Sequence, residues 1–111
     1  MLRNVDHLGI AVESLDEAKQ IYEALGLHCS GVEDIAEQKV RAALFPVGES
    51  RVELLQSTDP DGPIGKFLMK KGQGIHHIAF AVQDIEAALQ IVRKAGFQLI
   101  DEVPRHGEIG R

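Results

Sequence analysis

The chain has no tryptophan, one tyrosine and a single cysteine, Cys29, among its 111 residues. One thiol excludes an internal disulfide framework and fits a reducing compartment. Nowhere do about 18 apolar residues run together, so no membrane-spanning helix is expected. The opening MLRNVDHLGIAV has neither the basic region nor the long apolar stretch of a secretory signal. An excess of positive charge is missing too. The formal charge is -5, spread along the chain, and nonspecific nucleic-acid binding needs a basic footprint. Hydrophobic residues make up 44%, enough for a sizeable core. Together these features predict one soluble, cytoplasmic domain with no nucleic-acid or membrane partner.

What is present is an internal repeat. Sliding the chain by 70 positions lays VDHLGIAVESLDEAKQIYEALGL, residues 5–27, over IHHIAFAVQDIEAALQIVRKAGF, residues 75–97. Seven of the 23 pairs are identical, including His7/His77, Ala11/Ala81 and Gly26/Gly96, too many in register with the helix caps for chance. Each copy reads as a strand followed by a helix. Ser14 and Glu17 offer a capping box, Leu15, Ala18, Ile21, Tyr22 and Leu25 recur at helical spacing, and Gly26 suits a left-handed exit. In the second copy Asp84 is the cap. Three further strands are expected near 27–33, 39–47 and 51–56, with Gly48-Glu49-Ser50 as the tight connection.

This spacing predicts an α+β fold of paired βαβββ modules in one structural domain. The first module spans 1–57, a linker with a short helix spans 58–73, and the second module spans 74–111. Adding 70 to the strand 39–47 gives 109–117, so the second module is expected to lack its last strands within this sequence.

Alternation along the strands puts Val5, His7, Gly9 and Ala11 on one face, and Ile75, His77, Ala79 and Ala81 on the equivalent face. Small residues beside each imidazole leave room over the sheet, as in a pocket floor. His77, not His76, is therefore the partner of His7, and His76 is assigned to the helix-packing side. A lone histidine is most simply a satisfied core residue; two in repeat register point to a shared metal, since neutral imidazole is the commonest nitrogen ligand. Glu53, mid-strand between apolar neighbours in SRVELLQ, supplies a carboxylate. It either ligates the same ion, lies on an exposed face, or pairs with Arg51 or Arg41, because an isolated buried carboxylate is costly. His28 and His106 have no visible partner.

VDHLGIAV, the glutamate in RVELL, PIGKFLMKKGQGIHHIAFAV and LIDEVPR together resemble the methylmalonyl-CoA epimerase family, within the vicinal oxygen chelate superfamily that includes glyoxalase I. The resemblance implies a curved mixed sheet of the glyoxalase type around a divalent metal (cobalt, manganese, nickel or zinc), with His7, Glu53 and His77 at ligand positions. It implies interconversion of (R)- and (S)-methylmalonyl-CoA through a metal-stabilised enolate, and a homodimer. The family's remaining ligand and acid/base glutamate falls beyond Arg111 by the same offset, so no catalytic base is placed. With an acyl-CoA substrate, Lys66, Lys70 and Lys71 are either contacts to CoA phosphates, chiefly Lys66 and Lys70, or simply a solvated face. Rival readings are a glyoxalase I-like lactoylglutathione lyase, a 2-His-1-carboxylate oxygenase, and a metal-free ligand-binding or resistance module on the same scaffold.

Overall fold

A computed structural model of the chain describes residues 2–94 and 108–110. Gly96, the LIDEVPR stretch and His106 lie outside the described residues. The elements follow as strand β1 (Leu2–Ala11), helix α1 (Leu15–Ala24), and strands β2 (Gly31–Ile35), β3 (Val40–Val47) and β4 (Ser50–Ser57). Helix α2 (Pro63–Lys71), strand β5 (Gly74–Val82), helix α3 (Ile85–Lys94) and strand β6 (Glu108–Gly110) complete them. The six strands form one mixed sheet in the order β2-β3-β4-β1-β5-β6. β1 is the seam, parallel to β4 on one side and antiparallel to β5 on the other.

Local chemistry fixes the helix ends as expected. The Ser14 hydroxyl accepts from the Glu17 N–H at 3.2 Å, and the Gln56 side-chain oxygen accepts from the Leu15 N–H at 2.7 Å, so two free donors of the first turn are satisfied. Gly26 follows with φ of +97°. Asp84 caps α3 by accepting from the Ala87 N–H. Proline opens α2, where its missing N–H is harmless, and Gly72 closes it at φ +76°.

Helices cover opposite faces of the sheet. α1 seals one face through Leu15, with Ala18 and Tyr22, over Val12, Ala43, Phe45 and Leu54. α2 covers the other through Ile64, with Phe67 and Leu68, over Ala11, Val40, Ala42 and Leu55. Phe45 and Leu54 are fully buried, each worth about 1.5–3 kcal/mol in transfer free energy.

One expectation is corrected. The second strand runs over Gly31–Ile35 rather than 27–33. Leu27 and Cys29 alternate like strand residues, but they fill space beside Phe45 and Leu54, and the ladder to β3 starts only at Gly31 opposite Leu44. β6, where the 70-residue offset places the start of a strand, pairs directly with β5, antiparallel, with Ala79 opposite Gly110. This pairing satisfies peptide groups on the edge of β5 that β1 leaves free.

Candidate metal centre

Two-residue alternation breaks where the site forms. Along the β1–β5 ladder, Val5 pairs with Phe80 and His7 with Ala79, so Asp6 is an extra residue on β1. Further along, Gly9 pairs with His77 and Ile10 with Ile75, so His76 is an extra residue on β5. Each bulge turns neighbouring side chains toward one another instead of to opposite faces. The Asp6 carboxylate lies 2.7 Å from His7 Nδ1, and His76 Nδ1 lies 2.9 Å from His77 Nδ1. His76 therefore stands beside the site, with its ring edge-on to Phe67 of α2 at 5.1 Å between centroids, and not under α3.

The structure brings His7 and His77 together across 70 residues, their Nε2 atoms 3.1 Å apart and their rings perpendicular. Two imidazole nitrogens each about 2.1 Å from one divalent ion are about 3.0 Å apart at right-angled bonds and about 3.4 Å apart at tetrahedral ones. The pair thus fits two adjacent positions of one coordination sphere. His7 is 7% exposed, the sole buried polar residue among those described. Gly9 makes the space: an added Cβ there would sit 2.2 Å from His77 Cε1.

Glu53 shares this face, but its Oε2 receives Arg51 Nε at 2.6 Å and approaches His7 on the far nitrogen, Nδ1, at 3.7 Å. Arg51 also reaches Asp6 at 3.3 Å. Among the described residues, no three His, Cys, Asp or Glu side chains converge on one metal position. In this arrangement the histidine pair fits an ion, while Glu53 is held by Arg51. Asp6, and Arg51 in its double role, were not legible as site residues from alternation alone. Their signal is a charged residue inside an apolar strand, next to a ligand candidate. Lys66, Lys70 and Lys71 line an open groove of about 400 Å³ on α2, whose lining includes Phe67, Met69 and His76. Glu37 and Gln38 lie exposed on a short turn of 3-10 helix between β2 and β3. His28 is exposed, between α1 and β2.

Burial lowers the His77 pKa from 6.5 to about 4, helped by His7 and His76 and only partly opposed by Glu53. Burial lowers His76 as well. His77 is accordingly neutral near pH 7, the form whose lone pair binds metal. Between about 6.5 and 4 the unfolded metal-free chain takes up a proton that folded His77 refuses, so stability falls as pH is lowered through that window. Urea midpoints of metal-free protein at pH 7, 5.5 and 4 check this: the decline should be shallower in His77→Gln, and equal slopes would refute it.

Among the described residues no helix is long and apolar enough to cross a membrane. The family profile described as the Glyoxalase/Bleomycin resistance protein/Dioxygenase superfamily matches residues 6–111. The Bacillus subtilis (strain 168) protein YqjC is 42% identical over 111 residues, covering 99% of this chain and 79% of its own. The ethylmalonyl-CoA/methylmalonyl-CoA epimerase of Cereibacter sphaeroides is 31% identical, with 100% of this chain and 85% of that protein covered. The human mitochondrial methylmalonyl-CoA epimerase is 32% identical, and the match spans only 64% of its length. A solved methylmalonyl-CoA epimerase in complex with methylmalonyl-CoA and NH4+ superposes with a TM-score of 0.84 at 36% identity, over 95% of this chain and 78% of the other. The chain belongs to the methylmalonyl-CoA epimerase family, within the glyoxalase/bleomycin resistance/dioxygenase superfamily.

Proposed function

We propose that this chain is a divalent-metal-dependent epimerase that interconverts (R)- and (S)-methylmalonyl-CoA, acting in the cytoplasm as a homodimer. The observation that carries the reading is the facing Nε2 pair of His7 and His77, 3.1 Å apart, in a chain so similar to an epimerase bound to methylmalonyl-CoA. Cobalt, manganese, nickel or zinc suits two imidazoles and a carboxylate. The bound ion would supply Lewis acidity, stabilising the negative charge that develops on the thioester oxygen when the proton between thioester and carboxylate is removed.

The chain's own residues have separable tasks in this reading. His7 and His77 hold the ion from β1 and β5. Glu53, on the same face of β4 as Arg51, would serve as its carboxylate ligand once released from that pair. Lys66 and Lys70 on the groove beside His76 bind phosphates of the acyl-CoA, and Phe67 and Met69 offer apolar surface to the rest of its arm. Inversion also requires an acid/base group on each side of the planar enolate.

The test is proton exchange at C2. Protein loaded with cobalt should catalyse deuterium uptake from D2O by either epimer of methylmalonyl-CoA, read by mass spectrometry, and a chelator should abolish it. Absence of exchange in the metal-loaded protein, with turnover of a glutathione hemithioacetal instead, would move the chain to glyoxalase chemistry.

A further inference from the structure

We propose that Asp6 and His76, which occupy the same column of the 70-residue repeat, are positioning residues that set the tautomers of His7 and His77. The inference rests on the metal reading above and goes beyond its ligand set. Both residues are the extra ones of their β-bulges, and each contacts the Nδ1 of the adjacent histidine, at 2.7 Å for Asp6 and 2.9 Å for His76. Each bulge thereby leaves the opposite nitrogen, Nε2, pointing at its counterpart across the seam.

The donors can be assigned from chemistry. An ionised carboxylate only accepts, so His7 carries its proton on Nδ1 and donates it to Asp6. Arg51 holds that carboxylate at 3.3 Å; its Nη2 lies 3.5 Å from His7 Nδ1, at the limit of contact and, like that N–H, a donor. Neutral His7 then presents a bare Nε2. In the metal-free chain the proton between the two Nε2 atoms must belong to His77, which leaves His77 Nδ1 bare to accept from His76 Nδ1–H.

An ion bound by both Nε2 atoms changes only one half of this chain of hydrogen bonds. His7 is already in the ligating tautomer. His77 must move its proton from Nε2 to Nδ1, and His76 must turn from donor to acceptor there, carrying its own proton on Nε2. Neutral His76 can do either, whereas a carboxylate in its place could only accept. The two repeat positions thus carry different chemistry: Asp6 presets one ligand, and His76 lets the other switch. Partners that orient metal-binding histidines typically change metal affinity by about 10–100-fold when removed.

The test reads tautomers directly. Long-range proton–nitrogen NMR spectra of the 15N-labelled full chain should show His7 as Nδ1–H and His77 as Nε2–H without metal, and His77 as Nδ1–H once zinc is added. Calorimetric titration with zinc should give affinities about 10–100-fold weaker for Asp6→Ala and for His76→Phe, which keeps a ring against Phe67. Asp6→Asn and His76→Asn, which can still accept from Nδ1, should recover part of the loss. Wild-type affinity in Asp6→Ala and His76→Phe, or metal-free His7 protonated on Nε2, would overturn the proposal. Failure of the unaltered chain to bind zinc would sink the metal reading instead, while the metal-free spectrum still decides the hydrogen-bond assignment without any variant.

Discussion

Replacing Gly9 with alanine is expected to expel the His77 ring from its place and abolish metal binding. The new Cβ would lie 2.2 Å from His77 Cε1 and 2.6 Å from both ring nitrogens, distances no real methyl group tolerates. The ring has no simple retreat, because His7 and His76 stand edge-on to it with centroids 5.1 and 5.2 Å away. Gly9 is not among the positive-φ residues, so alanine is acceptable to the backbone and would by itself strengthen a strand by roughly 0.5–1 kcal/mol. The predicted outcome is therefore purely steric: destabilisation of about 1–3 kcal/mol from overpacking, together with loss of measurable zinc binding. Chemical denaturation and calorimetry would check both parts. A Gly9→Ala protein with unchanged zinc affinity would mean that His77 is not held where an ion needs it.

Removing either imidazole is the second large expectation. His7→Ala and His77→Ala each delete one of the two nitrogens that fit an ion, leaving one imidazole and the Glu53 carboxylate that Arg51 competes for. If the ion contributes several kcal/mol of enolate stabilisation, isotope exchange at C2 should fall by about 1,000-fold or more in each variant, at about 1.4 kcal/mol per factor of ten. The double variant should be no worse than either single one, since both delete the same unit. Far-UV circular dichroism should remain that of the parent, because the α1 core around Phe45 and Leu54 lies on the other side of the sheet. Exchange persisting in His77→Ala at the parental rate would exclude the metal-dependent reading.

Much of the fold was legible because its signals are local and redundant. Ser14, Gly26, Asp84 and Gly72 punctuate helices by mechanisms that do not depend on tertiary context, and the repeat tied one strand–helix unit to the next. The pairing of His7 with His77 was legible for a different reason: register in a repeat survives even where the strand between is irregular. Alternation did not survive. It assigned His76 to the opposite side from His77, and it gave no reason to notice Asp6, because a bulge is a property of two strands and neither strand alone encodes it. Polarity carries the missing signal, since Asp6 and His76 interrupt apolar strands in the same repeat column. Of the readings open for Glu53 (a cation, an exposed face, or a pair with Arg51 or Arg41), the structure has the Arg51 pair, and the proposed function needs its exchange for the ion.

The seam between β1 and β5 has a consequence for how the molecule is made. Its two histidines arrive 70 residues apart, and closing so large a loop precedes any gain from the contacts it permits. During synthesis the segment through β4 carries His7, Glu53 and the core around Phe45 and Leu54, but the second imidazole arrives only once Gly74–Val82 has emerged and docked. Under the proposed function, the pair of imidazoles that would take the ion exists only in the docked chain, so loading with metal would report completed folding.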